Sequence, residues 1–191
     1  MQSLQSQVRA ARGPARDALL RAGVALIYAH WEGYCKNALT LYLKFVARRK
    51  LKLRELRPGF AALAVDSAVR KQGNLTEVRR RMSTVTQLMD GLDDRLAIPS
   101  KEVNTQSNLN SEVCEELLEM LGLDFTPFAT KAHLIDYKLL RARNEIAHGR
   151  WSPVDLAAFE ELYSEVLMMI RTVRNLVTTA ADNGEYRRVV V

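Results

Sequence analysis

Apolar residues recur at alternating intervals of three and four along most of the chain, as they do on the buried face of an α-helix. The first long pattern covers residues 15–51, and the last begins at Leu156 and extends to Val177. The apolar positions of the first pattern are Leu20, Val24, Ile27, Trp31, Tyr34, Ala38, Leu41 and Phe45. No stretch shows the two-residue alternation of a half-buried strand. The pattern therefore predicts an all-α helical bundle in which two long helices frame several shorter ones.

Turn and capping residues separate the shorter helices. Pro58 breaks the chain after the first long helix, and a short apolar helix follows it to about Gly73. A further helix is predicted over residues 74–96, which open with a capping-box-like sequence. Residues 97–110 form one long polar loop, a type of segment that is often functional or mobile. Ser111 is then predicted to cap a short helix.

Length and composition favour one helical domain over residues 1–191, with a loosely ordered lead-in at 1–14 and a loosely ordered tail at 183–191. No apolar run is long enough to span a membrane, and the N-terminus lacks the apolar core of a signal peptide. We therefore expect a cytoplasmic protein without membrane association. Cys35 and Cys114 each lie within a helical pattern and are expected to be reduced core residues.

The chain is basic, with a formal net charge of +6 and an isoelectric point near 9.5, which favours an anionic partner such as nucleic acid. Basic residues cluster at the end of the first long helix and on the polar side of the 74–96 helix. A solvated surface is the ordinary explanation of such clusters, and a surface that follows RNA phosphates is the functional one. The candidate RNA-binding residues are Arg48, Arg49, Lys50, Arg79, Arg80, Arg81 and Arg150.

Residues 131–148 are predicted to form one α-helix, which ends at Gly149 because glycine readily adopts the left-handed conformation found there. At about 100° per residue, Arg143 and His148 lie roughly 140° apart, with Asn144 between them. A cation, an amide and an imidazole thus share one open surface, and imidazole is well suited to proton transfer near neutral pH. Arg143, Asn144 and His148 are therefore the candidate catalytic residues.

Three further residues are candidates for a supporting role at this surface. Asp136 and Tyr137 lie about one turn earlier on the same arc of the motif helix. Glu32, on the first long helix, either pairs with Lys36 at i, i+4 or reaches across the bundle to orient the motif. The motif also has a purely structural explanation, because Arg and His near a helix C-terminus can simply cap carbonyl groups.

Residues 143–148 (R-N-E-I-A-H) resemble the R-N-x-x-x-H signature of the HEPN superfamily, helical-bundle proteins that include many metal-independent ribonucleases. Residues 29–34 (A-H-W-E-G-Y) and 107–112 (S-N-L-N-S-E) look like further features of one bacterial HEPN-like nuclease subgroup. The three matches span nearly the whole chain in the expected order. The resemblance implies a homodimer in which the motifs of two protomers line one cleft. It also implies RNA degradation in defence against phage or mobile elements, or as the toxin of a toxin–antitoxin pair.

The chemistry that these residues favour is metal-independent cleavage of RNA. The histidines are scattered and no acidic cluster is evident, so we expect neither a metal nor another cofactor. RNA carries its own nucleophile in the 2′-hydroxyl, so Arg143 could stabilise the developing charge while His148 transfers protons. Two other classes stay open: a non-catalytic RNA- or nucleotide-binding module, and an interaction module bound to an antitoxin or defence partner.

Overall fold

The computed structural model describes residues 2–98, 103–106, 108–150 and 153–189. Throughout these ranges the regular structure is helical and no β-strand occurs, which confirms the predicted all-α fold. The two long helices are also confirmed, since they span 36 and 28 residues and the elements between them are shorter. None of the helices in the described ranges is both long and apolar enough to cross a membrane.

The helices along the chain are α1 (Gln2–Ala10), α2 (Gly13–Arg48), α3 (Pro58–Arg70), α4 (Glu77–Gly91), α5 (Ser111–Met120), α6 (Thr126–Ala129), α7 (Ala142–Ala147) and α8 (Leu156–Asn183). The predicted helices occur in the predicted order, and α1 and α6 occur in addition to them. A short 3₁₀ helix, Leu53–Glu55, precedes α3, and a π-helix, Leu134–Arg141, runs directly into α7.

The residues group into two compact units, and the single-domain assignment stays a prediction. The first unit comprises Met1–Asn37, Asn104–Cys114 and Thr126–Arg174. Large buried side chains form its core, and Trp31 meets Phe128 with 6.0 Å between the ring centroids. Ile27, Trp31, Phe159 and Val166 are all 0% exposed. Cys35 and Cys114, both in this unit, are buried free thiols as expected.

The second unit comprises Ala38–Val103, Glu115–Phe125 and Asn175–Val191. Phe60 from α3, Leu118 from α5 and Tyr42 from α2 are almost completely buried in its core. Phe45 meets Tyr186 edge-on, with 6.0 Å between the ring centroids.

The buried face of α2 matches the prediction in its first half only. Leu20, Val24, Ile27 and Trp31 are buried as expected. Beyond Trp31 the predicted series is displaced, and Leu41 is 58% exposed. The buried positions there are Cys35, Leu39, Tyr42, Leu43 and Val46. The displacement begins at Cys35, within the first unit, and continues through the part of α2 that belongs to the second unit from Ala38 onward.

The lead-in differs from the loosely ordered segment expected at residues 1–14. Residues Gln2–Ala10 form α1, Val8 is 0% exposed, and Arg9 pairs with Glu160 on α8 at 2.7 Å. A single buried valine in a short polar helix produces too little periodicity to be recognised in the sequence.

The tail also differs from the expectation over residues 184–188. The Arg57 N–H donates to the Tyr186 carbonyl at 2.9 Å, and the Arg188 N–H donates to the Glu55 carbonyl at 2.9 Å. Tyr186 itself is only 4% exposed. Residues 190–191, which belong to the same expectation, lie outside the described residues.

Close packing in the second unit makes a stability prediction at Gly59. A Cβ at this position would overlap the carbonyl oxygen of Met120, which belongs to backbone and cannot easily move aside. We expect Gly59→Ala to lower the free energy of unfolding by about 1–3 kcal/mol in urea denaturation.

Gly33→Ala is the matched control, because no atom lies within 4 Å of its added Cβ and alanine is the better helix former in α2. Equal unfolding midpoints for the two variants would contradict the close approach at Gly59.

Candidate functional site

The helix that carries the motif is not the continuous α-helix predicted over 131–148. Leu134–Arg141 is a π-helix with i→i+5 hydrogen bonds, and the α-helical part with the motif is the six-residue α7. Ile135 and Leu139 within the π-helix are fully buried. Because a π-helix advances by a smaller angle per residue, the arc calculated from 100° steps does not hold for residues before α7.

The end of α7 fixes the backbone around His148. Gly149 has a φ of +69°, as predicted for the residue that ends this helix. The Gly149 N–H donates to the Ile146 carbonyl at 3.1 Å, and the Arg150 N–H donates to the Glu145 carbonyl at 2.9 Å. These two bonds form a Schellman motif, in which His148 is the C-cap residue. The Ile146 and Glu145 carbonyls thus accept backbone N–H groups, and His148 is exposed.

The Arg143 side chain is held by groups from two other parts of the first unit. Its guanidinium carbon lies 4.2 Å from the ring centroid of Tyr28, which is a cation–π contact. Its Nη2 donates to Asn108 Oδ1 at 3.3 Å and lies 4.0 Å from Glu32 Oε2. Only 23% of the side chain is exposed, so the guanidinium is largely shielded from water.

The long polar loop completes this cluster. Thr105 Oγ1 donates to Glu32 Oε1 at 2.7 Å, and the Leu109 N–H donates to the Tyr28 hydroxyl at 2.8 Å. Thr105 is 3% exposed and Leu109 is 0% exposed. This part of the loop is therefore packed against α2. We refer to Tyr28, Glu32, Thr105, Asn108 and Arg143 as the arginine cluster.

The surroundings of Tyr28 in the arginine cluster shift the pKa of its phenol. Burial raises the pKa of its phenol above the ordinary value of 10.0, and the nearby Glu32 carboxylate raises it further. The Arg143 side chain and the Leu109 N–H act in the opposite direction. Tyr28 is consequently neutral near pH 7, and its hydroxyl is an acceptor for the loop backbone.

Asp136 contacts Ser111 and Tyr137 contacts His133, and the supporting role of both stays a prediction. Asp136 accepts hydrogen bonds from the Ser111 N–H at 2.7 Å and from Ser111 Oγ at 2.6 Å. Its carboxylate thus anchors the start of α5. Tyr137 is 55% exposed and stacks on His133 with 5.0 Å between the ring centroids.

The cap of α5 also differs from the prediction. Asn110 Oδ1, and not Ser111, accepts the Val113 N–H at 2.8 Å. Asn144 follows Arg143 on α7, is half-buried, and its carbonyl accepts the His148 N–H at 3.0 Å.

The predicted RNA-binding residues fall into both units. Those at 48–50 and 79–81 are exposed and belong to the second unit, whereas Arg150 is exposed in the first unit. Some already have intramolecular contacts: Arg49 lies over the Phe45 ring at 4.3 Å, and Arg81 forms an ion pair with Glu77. Across the described part of the chain, no group of three or more His, Cys, Asp or Glu side chains is placed to hold a metal ion.

Sequence reasoning missed Tyr28 and Thr105 as partners of the motif. Tyr28 precedes Glu32 by four residues on α2, so the two share a face, and that spacing was the available signal. Asn108 lies within the 107–112 segment that carries the resemblance, although no role was assigned to it. Ser107 of that segment lies outside the described residues.

The all-α helical fold is consistent with that of a HEPN-type protein. A family model described as HEPN_MAE_28990-like HEPN matches residues 2–186, and the chain belongs to this family. Comparison with curated proteins and with solved structures finds no significant match to either. Membership is consistent with a nuclease or another RNA-related function.

The arginine cluster makes a stability prediction at Tyr28. Tyr28→Phe keeps the ring beneath Arg143 but removes the acceptor of the buried Leu109 N–H. We expect the free energy of unfolding to fall by about 1–3 kcal/mol, because a buried donor is left unsatisfied.

Tyr137→Phe is the control, since its side chain is 55% exposed and such a change usually alters stability by less than about 0.5 kcal/mol. Urea denaturation of the two variants provides the comparison. An unchanged midpoint for Tyr28→Phe would show that the loop does not depend on this hydrogen bond.

Proposed function

We propose that this protein is a metal-independent endoribonuclease in which Arg143 and His148 act on the phosphodiester of RNA. The observation that carries the proposal is the contrast between the two side chains. Arg143 is held and shielded by the arginine cluster, whereas His148 is exposed at the end of the same short helix. A fixed cation and an accessible proton-transfer group, five residues apart at the end of one helix, are the two groups that this reaction needs.

Arg143 supplies the positive charge. A guanidinium that is already positioned stabilises the negative charge on the phosphorane oxygens without reorganising during the reaction. In this proposal only Arg143 contacts the phosphate. The positioning residues, which contact Arg143, are Tyr28, Glu32 and Asn108. The planar guanidinium matters as well as the charge, since lysine cannot reproduce the stacking and the directed donors.

His148 transfers the protons. As a base it removes the proton of the 2′-hydroxyl while the 2′-oxygen bonds to phosphorus and the bond from phosphorus to the 5′-oxygen breaks. An imidazolium acting as an acid then protonates the leaving 5′-oxygen. The products are a 2′,3′-cyclic phosphate and a 5′-hydroxyl. Asn144, the neighbour of Arg143, is proposed to position the phosphate or the imidazole.

One motif histidine per chain favours a homodimer, because base and acid can then be the His148 residues of two protomers in one composite cleft. The exposed basic residues at 48–50 and 79–81, together with Arg150, are the proposed RNA contacts. The resemblance to HEPN nucleases supports a cytoplasmic role in a toxin–antitoxin or defence system, where an antitoxin or another partner protein would restrain the activity.

The enzyme proposal is tested on RNA in excess EDTA. We expect the wild-type protein to cleave a mixed RNA pool and leave cyclic phosphate ends, and His148→Ala to be slower by about 10²–10⁴-fold, the usual contribution of general acid–base catalysis. His133→Ala is the matched control, because it removes another exposed imidazole outside the motif.

If neither the wild type nor any variant cleaves RNA but RNA is still bound, the protein is a non-catalytic RNA-binding module and the proposal is refuted. Equal cleavage by wild type and His148→Ala would refute the role of the motif.

The composite cleft is tested by mixing subunits. Wild-type protein is equilibrated with a ninefold excess of His148→Ala, so that most wild-type chains pair with an inactive one. If both histidines are needed, activity per wild-type chain should fall by about tenfold. The same excess of albumin is the control. Unchanged activity per wild-type chain would show that each protomer acts alone.

A further inference from the structure

Helix α4 exposes an apolar stripe. Val78, Met82, Val85 and Met89 are 67%, 65%, 55% and 73% exposed, and their spacing of four, three and four places them on one face. Leu88 beside them is 42% exposed. No residue of α4 is buried. We call these five residues the α4 stripe.

The other side of α4 is the one that packs against the protein. α4 lies against α3, and Ser83 Oγ donates to Gln72 Oε1, just after α3, at 2.7 Å. Ser83 and Gln87 are half-buried on this side. A surface helix normally turns its apolar stripe toward the core, and α4 does the reverse. An apolar surface of this kind marks an interaction site.

The charges on α4 indicate what covers the stripe. Arg79, Arg80 and Arg81 lie at its N-terminal end, and Asp90 lies near its C-terminal end, followed by Asp93 and Asp94. Eleven residues separate Arg79 from Asp90, which brings them to within about 20° of each other around the helix axis. The two opposite charges therefore lie on the same side of the stripe, about 60–80° beyond Met82 around the helix axis and at its two ends.

This arrangement is complementary to itself. In an antiparallel pair of identical helices related by a two-fold axis, the same edges of the two helices meet. Arg79 of each copy then lies near Asp90 of the other, and the contact is made twice. A parallel pair would instead place the basic ends side by side, and the acidic ends likewise, which is unfavourable.

We propose that α4 is a self-association surface, in which the stripes of two copies of this chain pack antiparallel and the Arg79–Asp90 contacts flank them. The apolar spacing is that of a short coiled-coil seam. The inference does not depend on nuclease activity, and it assigns to the molecule an interface built from α4 alone.

The interface is tested by measuring the mass of RNA-free protein in solution by sedimentation. We expect the wild type to associate and the double variant Met82→Glu, Val85→Glu to have half its mass. Because both side chains are exposed, helix content measured by circular dichroism should be unchanged. Thr84→Glu is the matched control, since it adds a charge to the same helix outside the stripe.

The direction of pairing is tested by charge reversal. Arg79→Asp should weaken association roughly three- to tenfold at low salt, because two surface pairs become repulsive. Adding Asp90→Arg to that variant should restore association, since the reversed charges again match in an antiparallel pair. A parallel pair gains nothing from the second change.

Three results would overturn the proposal: a monomeric wild type at the highest concentration reached, a mass that the stripe variant leaves unchanged, or no recovery in the double charge reversal. His148→Ala should leave the mass unaltered, so a failure of this interface and a failure of the nuclease proposal are read from different measurements. If the wild type also associates through another face, the stripe variant still has a lower mass in solution than the wild type.

Discussion

The placement of the Arg143 guanidinium is the constraint on which the candidate site depends. A permanent charge that is only 23% exposed must be compensated within the protein. Tyr28 provides a ring face at 4.2 Å, and Glu32 provides a carboxylate 4.0 Å away. Both lie on α2, one turn apart. The first long helix therefore positions Arg143 and also contributes side chains to the core.

The loop from residue 104 to residue 110 forms hydrogen bonds with both α2 and Arg143. Its residues reach Glu32 through Thr105, Arg143 through Asn108 and Tyr28 through the Leu109 N–H. The next residue after the loop, Ser111, is bound by Asp136 of the π-helix. Two residues of this polar segment, Thr105 and Leu109, are buried, and both are hydrogen-bonded to α2.

Helices α2 and α4 show what apolar spacing does and does not determine. Both carry apolar residues at alternating intervals of three and four, and both are helices. In α2 the residues Val24, Ile27 and Trp31 are buried in a core, whereas in α4 the corresponding stripe faces solvent. Spacing places side chains on one face of a helix. Whether another element covers that face is decided by the rest of the fold.

The sequence by itself determined the all-α class, the two long helices, the end of α7 at Gly149 and the family, because these follow from local spacing, local capping and a contiguous motif. The tertiary structure decided the rest. It placed Tyr28 and Thr105 beside the motif, turned Asp136 toward Ser111, widened the helix before α7 and displaced the buried face of α2 after Trp31. The contacts of Tyr28, Thr105 and Asp136 join residues far apart in the chain, and periodicity carries no information about such contacts.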